Sequence, residues 1–351
     1  MRKESKSTSF IKKILGLISL ILMVTNSKAQ QVTHYFPNGK DKAKTISGQY
    51  GGNSGICLFE DGRFLLYGYA TSVFGSYVFE KDYLLFYPDE APLFQLYGRH
   101  KPNFTDSTCI NLAGFEEGKT YVQFDNDSTH RVFNDKANCF SPPFVHQESK
   151  PVQSLKFIVQ NQLMEHDSTY QVFQYSNEEK FNDFIAVYNR PQRARQHFSA
   201  FLYLAEGNKL AIRLSNYGGE RGFLRENQDG SNQEHWHEIL TMKKDYDRAN
   251  YIDPLAIFSN AYYTLFYPDL EQYVLDTVNN RYVSKFASDN EAYFAGNPEQ
   301  DDRYLNKYIR QNLLLLKDEQ FDPSKLSITS LFFSRCEESE KPDHDENGSQ
   351  Q

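Results

Sequence analysis

Two histidines flank the only tryptophan of the chain, in the sequence Glu234-His235-Trp236-His237-Glu238. If this segment is a strand, His235 and His237 point to the same side, because alternate residues of a strand share a face. Two imidazoles at that spacing suit metal ligation, but a zinc site needs further ligands, which the sequence does not identify. The spacing also differs from the H-E-x-x-H pattern of zinc peptidases. Two interpretations of His235 and His237 therefore stand side by side, a metal site and a pair of surface residues.

Arginine is concentrated in one short stretch. Arg190, Arg193 and Arg195 lie within the sequence RPQRARQH. Guanidinium groups pair with carboxylates and sulfates through parallel hydrogen bonds. The stretch is a candidate site for an anion or an acidic polysaccharide, and a solvated loop between strands is the alternative.

Residues 113–120 (AGFEEGKT) match a loose form of the phosphate-binding loop of nucleotide hydrolases. That loop holds phosphates with backbone amides between a strand and a helix. Here Glu116 and Glu117 would place two negative charges at the phosphate positions, and residues 121–124 are typical of a strand. The segment therefore predicts a turn and no nucleotide site.

Catalytic motifs fail in the rest of the chain. Gly52-Asn53-Ser54-Gly55 is similar to the nucleophile loop of trypsin-like proteases, but too few residues precede Ser54 to carry the rest of a triad. The G-x-S-x-G elbow of other serine hydrolases does not occur. Carboxylates are plentiful, but the sequence does not show which of them could form a glycosidase pair. No motif indicates a cofactor, so we expect none.

The tripeptide Asp-Ser-Thr occurs three times, and Asp276-Thr277-Val278 is similar to it. The pattern resembles an O-glycosylation acceptor of exported proteins of the Bacteroidota. The resemblance implies modified hydroxyls at Ser107, Ser128, Ser168 and Thr277. A polar turn explains each copy equally well.

The first 29 residues have the three parts of a secretory signal peptide in order. Five basic residues precede the apolar run at 14–24 (ILGLISLILMV), and Ser27 and Ala29 are the small residues before a cleavage site. The apolar run is shorter than the roughly 20 residues that span a bilayer. We expect cleavage after residue 29, no membrane span in the mature chain, and a secreted, periplasmic or cell-surface location.

Cleavage would make the chain more acidic. Residues 1–29 carry six basic residues and one acidic residue, so their removal takes the formal net charge from −8 to −13. A negative charge of this size repels phosphate backbones and anionic lipids, so we expect no nucleic-acid partner. The 28 Phe and 24 Tyr residues supply enough apolar surface for a folded protein.

Four cysteines, Cys57, Cys109, Cys139 and Cys336, lack the spacing of a metal finger or a C-x-x-C redox motif. In an exported protein they allow two disulfides with three connectivities. Cys57 lies in an apolar, strand-like run, so a buried free thiol is an equal alternative.

Short apolar runs separated by turn residues predict an antiparallel β protein. Four pairs of runs have hairpin spacing: 56–59 with 64–69, 76–79 with 83–87, 198–205 with 209–217, and 273–278 with 281–286. The first turns at Asp61-Gly62, a strong hairpin signal. Residues 218–233, which are rich in Gly, Asn and Asp, predict a long surface loop.

Helices are expected only near the C-terminus. Asn297-Pro298 supplies a helix cap followed by proline, and apolar residues then fall on one helical face, which predicts a helix over about 298–318. Asp253-Pro254 predicts a second helix to about residue 266. The proline-rich segment 141–151 predicts a domain boundary. The expected segments are a signal peptide over 1–29, a β-meander domain over 30–145, a β-rich α+β domain over 152–335, and a disordered tail over 336–351.

Residues 45–100 resemble small exported bacterial β-meander modules of lipocalin-like type. The resemblance rests on the phrases Gly48-Gln49-Tyr50, Asp61-Gly62-Arg63-Phe64, Gly75-Ser76-Tyr77 and Tyr83-Leu84-Leu85-Phe86. This chain has Tyr where such modules more often have Trp. The resemblance implies a meander barrel or sandwich and carries no particular activity.

The sequence as a whole predicts an exported protein, mainly β as an antiparallel meander barrel or sandwich, with one or two C-terminal helices. The failure of the catalytic motifs favours a non-enzymatic binding or envelope-associated protein, whose partner is a glycan or a protein. A secreted glycan hydrolase with unidentified carboxylates is the alternative. A cleft with two carboxyl groups beside exposed aromatic rings would favour the hydrolase.

Overall fold

The computed structural model describes residues 33–102, 104–160, 169–227, 229–249, 251–289, 291–317 and 321–336. These residues form mostly antiparallel β-sheet with few helices, which confirms the predicted fold class. The signal peptide predicted over 1–29 lies outside the described residues. So does the tail predicted over 336–351, apart from its first residue.

Two compact units make up the chain, and each is built from two separate stretches. Unit 1 takes the chain up to Asp89 and again from Arg193 to Lys243. Unit 2 takes Glu90–Gln192 and the chain from Lys244 onward. The boundary predicted at 141–151 therefore falls inside unit 2, since the strands on its two sides belong to the same unit.

Unit 1 contains nine strands and a short helix, and a long helix begins in it. The strands are β1 (Thr33–Tyr35), β2 (Gly48–Tyr50), β3 (Gly55–Leu58), β4 (Arg63–Gly68), β5 (Thr71–Glu80), β6 (Tyr83–Pro88), β15 (Phe198–Leu204), β16 (Leu210–Leu214) and β17 (Phe223–Leu224). The helices are α1 (Lys42–Ile46) and α2 (Ser231–Ala249).

The strands of unit 1 form a meander that nearly closes into a barrel. Eight strands follow each other as β2-β3-β4-β5-β6-β15-β16-β17, and β1 pairs with β15. The two ends of this sheet meet at a bridge between Tyr50 and Arg225. There the Gly51 amide donates to the Leu224 carbonyl at 2.9 Å, and the Glu226 amide donates to the Gln49 carbonyl at 2.9 Å. Closure of this kind removes exposed sheet edges.

Unit 2 contains fourteen described strands and one short helix. The strands are β7 (Phe94–Arg99), β8 (Thr108–Ala113), β9 (Thr120–Phe124), β10 (His130–Arg131), β11 (Val145–Glu148), β12 (Ser154–Gln160), β13 (Tyr170–Ser176), β14 (Asp183–Tyr188), β18 (Ala256–Ser259), β19 (Leu265–Phe266), β20 (Tyr273–Asp276), β21 (Arg281–Ser284), β22 (Tyr304–Gln311) and β23 (Leu314–Leu315). The helix is α3 (Glu291–Gly296).

Two sheets of unit 2 enclose its core. One has the order β10-β9-β12-β13-β23, and the other has the order β11-β8-β14-β7-β22-β18-β19, with β21 beside β22. Strands β8 and β14 are parallel, and the other paired strands are antiparallel. Apolar residues of both sheets share one buried cluster, in which Phe94 of β7 lies 5.5 Å from Phe157 of β12 between ring centroids. Aromatic contact at this distance adds to the free energy of burial.

The four predicted hairpins are confirmed as β3/β4, β5/β6, β15/β16 and β20/β21. Both predicted C-terminal helices are wrong in position. Residues 304–311 form strand β22, and 256–259 with 265–266 form the paired strands β18 and β19. Helix α2 occupies 231–249, which includes the last residues of the loop predicted over 218–233.

One disulfide joins Cys139 to Cys336, with the two Cα atoms 5.2 Å apart. It fixes a segment that already runs beside β10: the Leu331 amide donates to the Arg131 carbonyl, and the Phe332 amide donates to the Val132 carbonyl, each at 2.9 Å. Cys57 and Cys109 are buried free thiols, as the alternative for Cys57 proposed.

Candidate functional site

The interior of the unit 1 barrel is filled by side chains. Phe86 and Phe198 stack with their ring centroids 4.6 Å apart, and Phe64 meets both rings edge-on. All three side chains are at most 5% exposed. A ligand of this unit would therefore bind outside the barrel, since close-packed aromatic rings leave no room for it inside.

A concavity of about 470 Å³ lies on the outer surface of unit 1, at strands β15 and β16 and the loop after β16. We call it the Arg213 concavity. Its lining includes Tyr83, Phe201, Arg213, Ser215, Tyr217 and Glu220. Its size is within the range of small-molecule sites in proteins.

The pairing of β15 with β16 brings together the two side chains that form the floor of the Arg213 concavity. Phe201 of β15 stands directly opposite Arg213 of β16 in the antiparallel register. Their neighbours Ala200, Leu202, Ile212 and Leu214 are buried, so alternation turns Phe201 and Arg213 outward. The Arg213 guanidinium lies 6.0 Å from the centre of the Phe201 ring, a cation–π contact.

Arg213 has no carboxylate partner within ion-pair distance among the described residues. The Arg213 guanidinium contacts the Phe201 ring and donates no hydrogen bond to another described residue. Its N–H groups therefore remain available to a ligand. A free guanidinium beside an aromatic face can take a planar anionic group through two parallel hydrogen bonds.

The walls of the Arg213 concavity are held by hydrogen bonds. The Ser199 amide donates to Ser215 Oγ at 3.1 Å, and that hydroxyl donates to Asn216 Oδ1 at 3.0 Å. The Tyr217 hydroxyl donates to the Arg193 carbonyl at 3.3 Å. These bonds fix the start of the loop, so the aromatic and polar groups of the concavity are positioned before any ligand arrives.

Glycine shapes the far side of the same loop. Gly222 has φ of +63°, and a Cβ built on it would lie 2.3 Å from the Ile212 carbonyl oxygen. Only glycine fits both the left-handed backbone and this approach to β16. The loop therefore returns tightly to the sheet beyond the concavity.

A second concavity, of about 280 Å³, lies in unit 2. We call it the Glu116 concavity. It is formed by the 3-10 turn Phe115–Glu117, the start of β9 and the segment after β10. Its lining includes Glu116, Lys119, Tyr121, Arg131, Phe133 and Phe140. The turn agrees with the prediction for 113–120, since β9 follows it directly.

No protein-family model matches the chain, and neither curated proteins nor solved structures give a significant match. Geometry and chemistry therefore carry the functional argument.

A buried charged network crosses one sheet of unit 2. Asp183, only 1% exposed, accepts from Arg99 Nε at 2.7 Å, from the Tyr308 hydroxyl at 2.9 Å and from the Tyr263 hydroxyl at 2.9 Å. Burial and the Asp183 charge raise the pKa of both tyrosines far above the usual range. The carboxylate is thus saturated with donors, which indicates a role in holding strands β7, β14 and β22 together.

His235 and His237 lie on helix α2, so the strand that would have placed both rings on one face does not form. Residues two apart on a helix point about 200° apart, so the two rings do not share a face. Both side chains are exposed, and His235 Nδ1 lies 3.6 Å from Glu238 Oε2. No group of three metal-ligating side chains occurs in the part of the chain that the structure describes.

Helix α2 attaches to unit 1 through other residues. Trp236 stacks on Phe59 at 5.7 Å between ring centroids. Lys243 Nζ lies 5.5 Å from the same ring and 2.7 Å from Asp61 Oδ2. Ile239, which lies between Trp236 and Lys243 in the chain, is also buried. The tryptophan beside the histidines is therefore a packing residue.

The basic stretch does not form one cluster within a unit. Arg190 belongs to unit 2, whereas Arg193 and Arg195 belong to unit 1. Arg195 donates to the backbone carbonyl of Asp89, and the Arg193 side chain is exposed. Anion binding by these three residues stays a prediction, and Arg213 offers a better-defined anion site.

The candidate glycosylation residues differ in accessibility. Ser128 and Thr277 are exposed, and Ser107 is half-buried. Ser168 lies outside the described residues. No helix in the described ranges has the length and apolar character needed to cross a bilayer.

Sequence reasoning missed the residues of both concavities as a binding set. The signal for the first was present: within the confirmed β15/β16 hairpin, Phe201 and Arg213 occupy positions that alternate with apolar core residues. A large aromatic ring and an arginine on the outer face of a barrel hairpin indicate a contact surface. The Glu116 concavity needs residues from distant segments, which no local pattern brings together.

Proposed function

We propose that this protein is exported and acts as a non-enzymatic binding protein that holds an acidic saccharide in the Arg213 concavity. The observation that carries the proposal is the cross-strand pair of Phe201 and Arg213, which places an unpaired guanidinium beside an aromatic ring in a concavity of about 470 Å³. The volume suits one or two sugar units.

The lining groups match the chemistry of a charged sugar. The C–H faces of a pyranose pack on aromatic rings, and Tyr83 and Tyr217 supply two such rings. One face of Phe201, by contrast, is covered by His34, whose ring stacks on it with the centroids 4.7 Å apart. Sugar hydroxyls exchange hydrogen bonds with Ser215 and Glu220. The Arg213 fork pairs with the carboxylate of a uronic acid or with a sulfate ester.

A binding role is favoured over hydrolysis at this concavity because Glu220 is the single carboxylate among its lining residues. Glycoside hydrolysis uses two carboxyl groups on opposite sides of the scissile bond. The alternative, a glycan hydrolase, would have to use another surface. Product analysis of any bound glycan separates the two functions.

Export is the other half of the proposal. It rests on the signal-peptide pattern of residues 1–29 and is supported by the Cys139–Cys336 disulfide, since disulfides persist in oxidising compartments. The same setting would allow O-glycosylation at Ser107, Ser128, Ser168 or Thr277. Mass spectrometry of the protein recovered from its source cells is expected to give a chain beginning at Gln30. An intact mass that retains residues 1–29 would contradict cleavage.

The binding proposal is tested by titrating the mature protein with matched neutral and acidic oligosaccharides, such as glucose- and glucuronate-containing pairs, in calorimetry. We expect the acidic member to bind and the neutral member to bind at least tenfold more weakly. Arg213→Ala should remove this preference, because it deletes the guanidinium fork.

Two control variants keep the test specific. Arg221→Ala removes the same charge from an exposed side chain of the same loop that is not part of the lining, and should leave binding unchanged. Tyr83→Ala should weaken binding, whereas Tyr69→Ala, at a fully exposed ring elsewhere on the sheet, should not. Failure of every acidic saccharide to bind, or wild-type binding by Arg213→Ala, would refute the proposal.

A further inference from the structure

One carboxyl oxygen of Glu116 lacks a hydrogen-bond partner although it is buried. Glu116 Oε2 is shielded from solvent and has no partner among the described residues. Burying a carboxyl oxygen without a partner is unfavourable, and such groups in native proteins call for an explanation. Because Glu116 also lines the Glu116 concavity, a rotation that turns Oε2 toward the concavity would let the hydrogen-bond donor of a ligand reach it.

The Glu116 side chain can reach such a ligand. Glu116 as a residue is half-buried, although its Oε2 atom is shielded from solvent. The last torsion of a glutamate is soft and roughly two-fold, so rotation exchanges the two oxygens at little cost. A donor in the concavity therefore meets a carboxyl group whose interactions are incomplete.

The lining of the concavity includes three basic residues, of which one forms an ion pair and two do not. Arg131 forms an ion pair with Asp135, and this contact holds the pKa of the Asp135 carboxyl below its usual range. Lys119 and Lys136 are exposed and have no ion-pair partner among the described residues. They can accept the anionic end of a ligand whose cationic end meets Glu116.

An apolar wall completes the concavity. Phe133 and Phe140 meet edge-to-face at 5.1 Å between ring centroids, and Phe140 is 37% exposed. Tyr121, near the start of β9, also lines the concavity. The volume of about 280 Å³ is close to that of one amino acid with a large side chain and too small for an oligosaccharide.

We propose that the Glu116 concavity binds a zwitterion of the amino-acid class with an apolar side chain. Its ammonium group donates to Glu116, its carboxylate pairs with Lys119 or Lys136, and its side chain packs against Phe140. The ligand is either a free amino acid or the terminal residue of a short peptide. This site and its ligand chemistry are separate from the saccharide binding proposed for Arg213.

The test is a titration of the purified protein with L-phenylalanine, monitored by calorimetry. Three analogues divide the ligand into its parts: N-acetyl-phenylalanine lacks the ammonium group, phenethylamine lacks the carboxylate, and Phe-Phe extends the chain. We expect L-phenylalanine to bind and the N-acetyl analogue to bind at least tenfold more weakly. Binding of Phe-Phe as tight as that of the free amino acid would assign the site to peptide termini, and weaker binding would assign it to free amino acids.

Glu116→Gln should give the same loss of at least tenfold, because the amide keeps the shape and removes the charge. The matched control is Glu179→Gln, since Glu179 is an exposed carboxylate of unit 2 outside the lining and its variant should bind as the wild type does. Glu116→Gln should melt no lower than the wild type without ligand, because burying a neutral amide without a partner costs less than burying a carboxylate.

Three results of these titrations would each overturn the proposal. It fails if L-phenylalanine does not bind at millimolar concentration, if the N-acetyl analogue binds equally well, or if Glu116→Gln binds like the wild type. The analogue comparison uses wild-type protein, so it stands even if a variant fails to fold. Arg213→Ala should leave amino-acid binding unchanged, which keeps the outcome independent of the saccharide proposal.

Discussion

Asp183 shows how a single buried charge is stabilised in this protein. A carboxylate that is 1% exposed would be strongly unfavourable if it stood alone. Here Arg99 supplies the opposite charge, and the hydroxyls of Tyr263 and Tyr308 supply two more hydrogen bonds. Each donor comes from a different part of unit 2, so the network requires those parts to be in register.

Removing one of these donors should destabilise the protein measurably. In Tyr308→Phe the ring remains but Asp183 loses a hydrogen bond of 2.9 Å. We expect the free energy of unfolding to fall by about 1.5–3 kcal/mol, the usual value for a bond to a charged group. Urea denaturation followed by circular dichroism measures it.

Tyr267→Phe is the control for this prediction. Tyr267 is 72% exposed, and none of its hydroxyl contacts is part of the network, so its variant should unfold within about 0.5 kcal/mol of the wild type. Equal stabilities for Tyr308→Phe and Tyr267→Phe would mean that the Asp183 network contributes nothing.

At the same scale, the sequence identified residue types better than it identified their partners. Its candidates were neighbours in the chain, such as His235 with His237, whereas the Asp183 network joins residues far apart. Arg99 and Asp183 are separated by 84 positions. Such pairs depend on sheet register, which a single sequence does not encode locally.

Elements were predictable where their signals are local. The hairpin β3/β4 turns at Asp61-Gly62, and Gly62 has the positive φ, +80°, that the turn requires. A turn signal between two apolar runs involves only a few consecutive residues, so the sequence contains all of it. The four predicted hairpins share this property.

Strand β22 was mistaken for a helix because its apolar residues do not alternate. Leu305 and Tyr308 are both buried, three residues apart, which imitates the helical period. In the structure β22 pairs with β7, β18 and β21, so it lies between other strands of the sheet. Its apolar residues do not follow a period of two, since Ile309 is exposed while Leu305 and Tyr308 are buried, and tertiary pairing then decides the structure.

A second prediction concerns the seam of the unit 1 barrel, by which we mean the line along which β2 meets the end of β17. Arg225 lies at the bridge between β2 and the end of β17, and its guanidinium donates to the Thr45 carbonyl at 3.1 Å and to the Ser47 carbonyl. It thus ties helix α1 to the closing strands. Arg225→Ala should lower the free energy of unfolding by about 1–3 kcal/mol, because two carbonyls lose a charged donor.

Hydrogen exchange tests where this loss occurs. The Gly51 and Glu226 amides, which bond across the seam, should exchange faster in Arg225→Ala than in the wild type. The control is Arg221→Ala, whose side chain is exposed. If both variants exchange alike at these two amides, Arg225 does not hold the seam.

At the scale of the whole molecule, the sequence predicted the fold class but could not predict how the units are assembled. Strands β6 and β15 are neighbours in one barrel, yet residues 90–192 of the other unit lie between them in the chain. A proline-rich segment such as 141–151 indicates a bend in the chain, and it cannot show whether the chain later returns to an earlier unit. Composition therefore placed a boundary inside unit 2.

The cysteines give the last prediction, which concerns the covalent framework of the molecule. The Cys139–Cys336 disulfide closes a loop across 197 positions, and long loops lose much entropy in the unfolded chain when they are closed. Replacing both cysteines with serine should lower the free energy of unfolding by about 2–5 kcal/mol. Reductant should lower the melting temperature of the wild type and leave that of the double variant unchanged.

Thiol titration checks the same assignment independently. Burial raises the pKa of the Cys57 thiol to about 12 and raises that of Cys109, so at pH 8 both remain protonated and shielded in the native protein. Ellman's reagent should therefore find no reactive thiol in the native state, two after unfolding without reductant, and four after unfolding with reductant. Four thiols without reductant would show that no disulfide forms, and the 329–336 segment would then be held beside β10 by its hydrogen bonds and by the packing of Leu331 and Phe332.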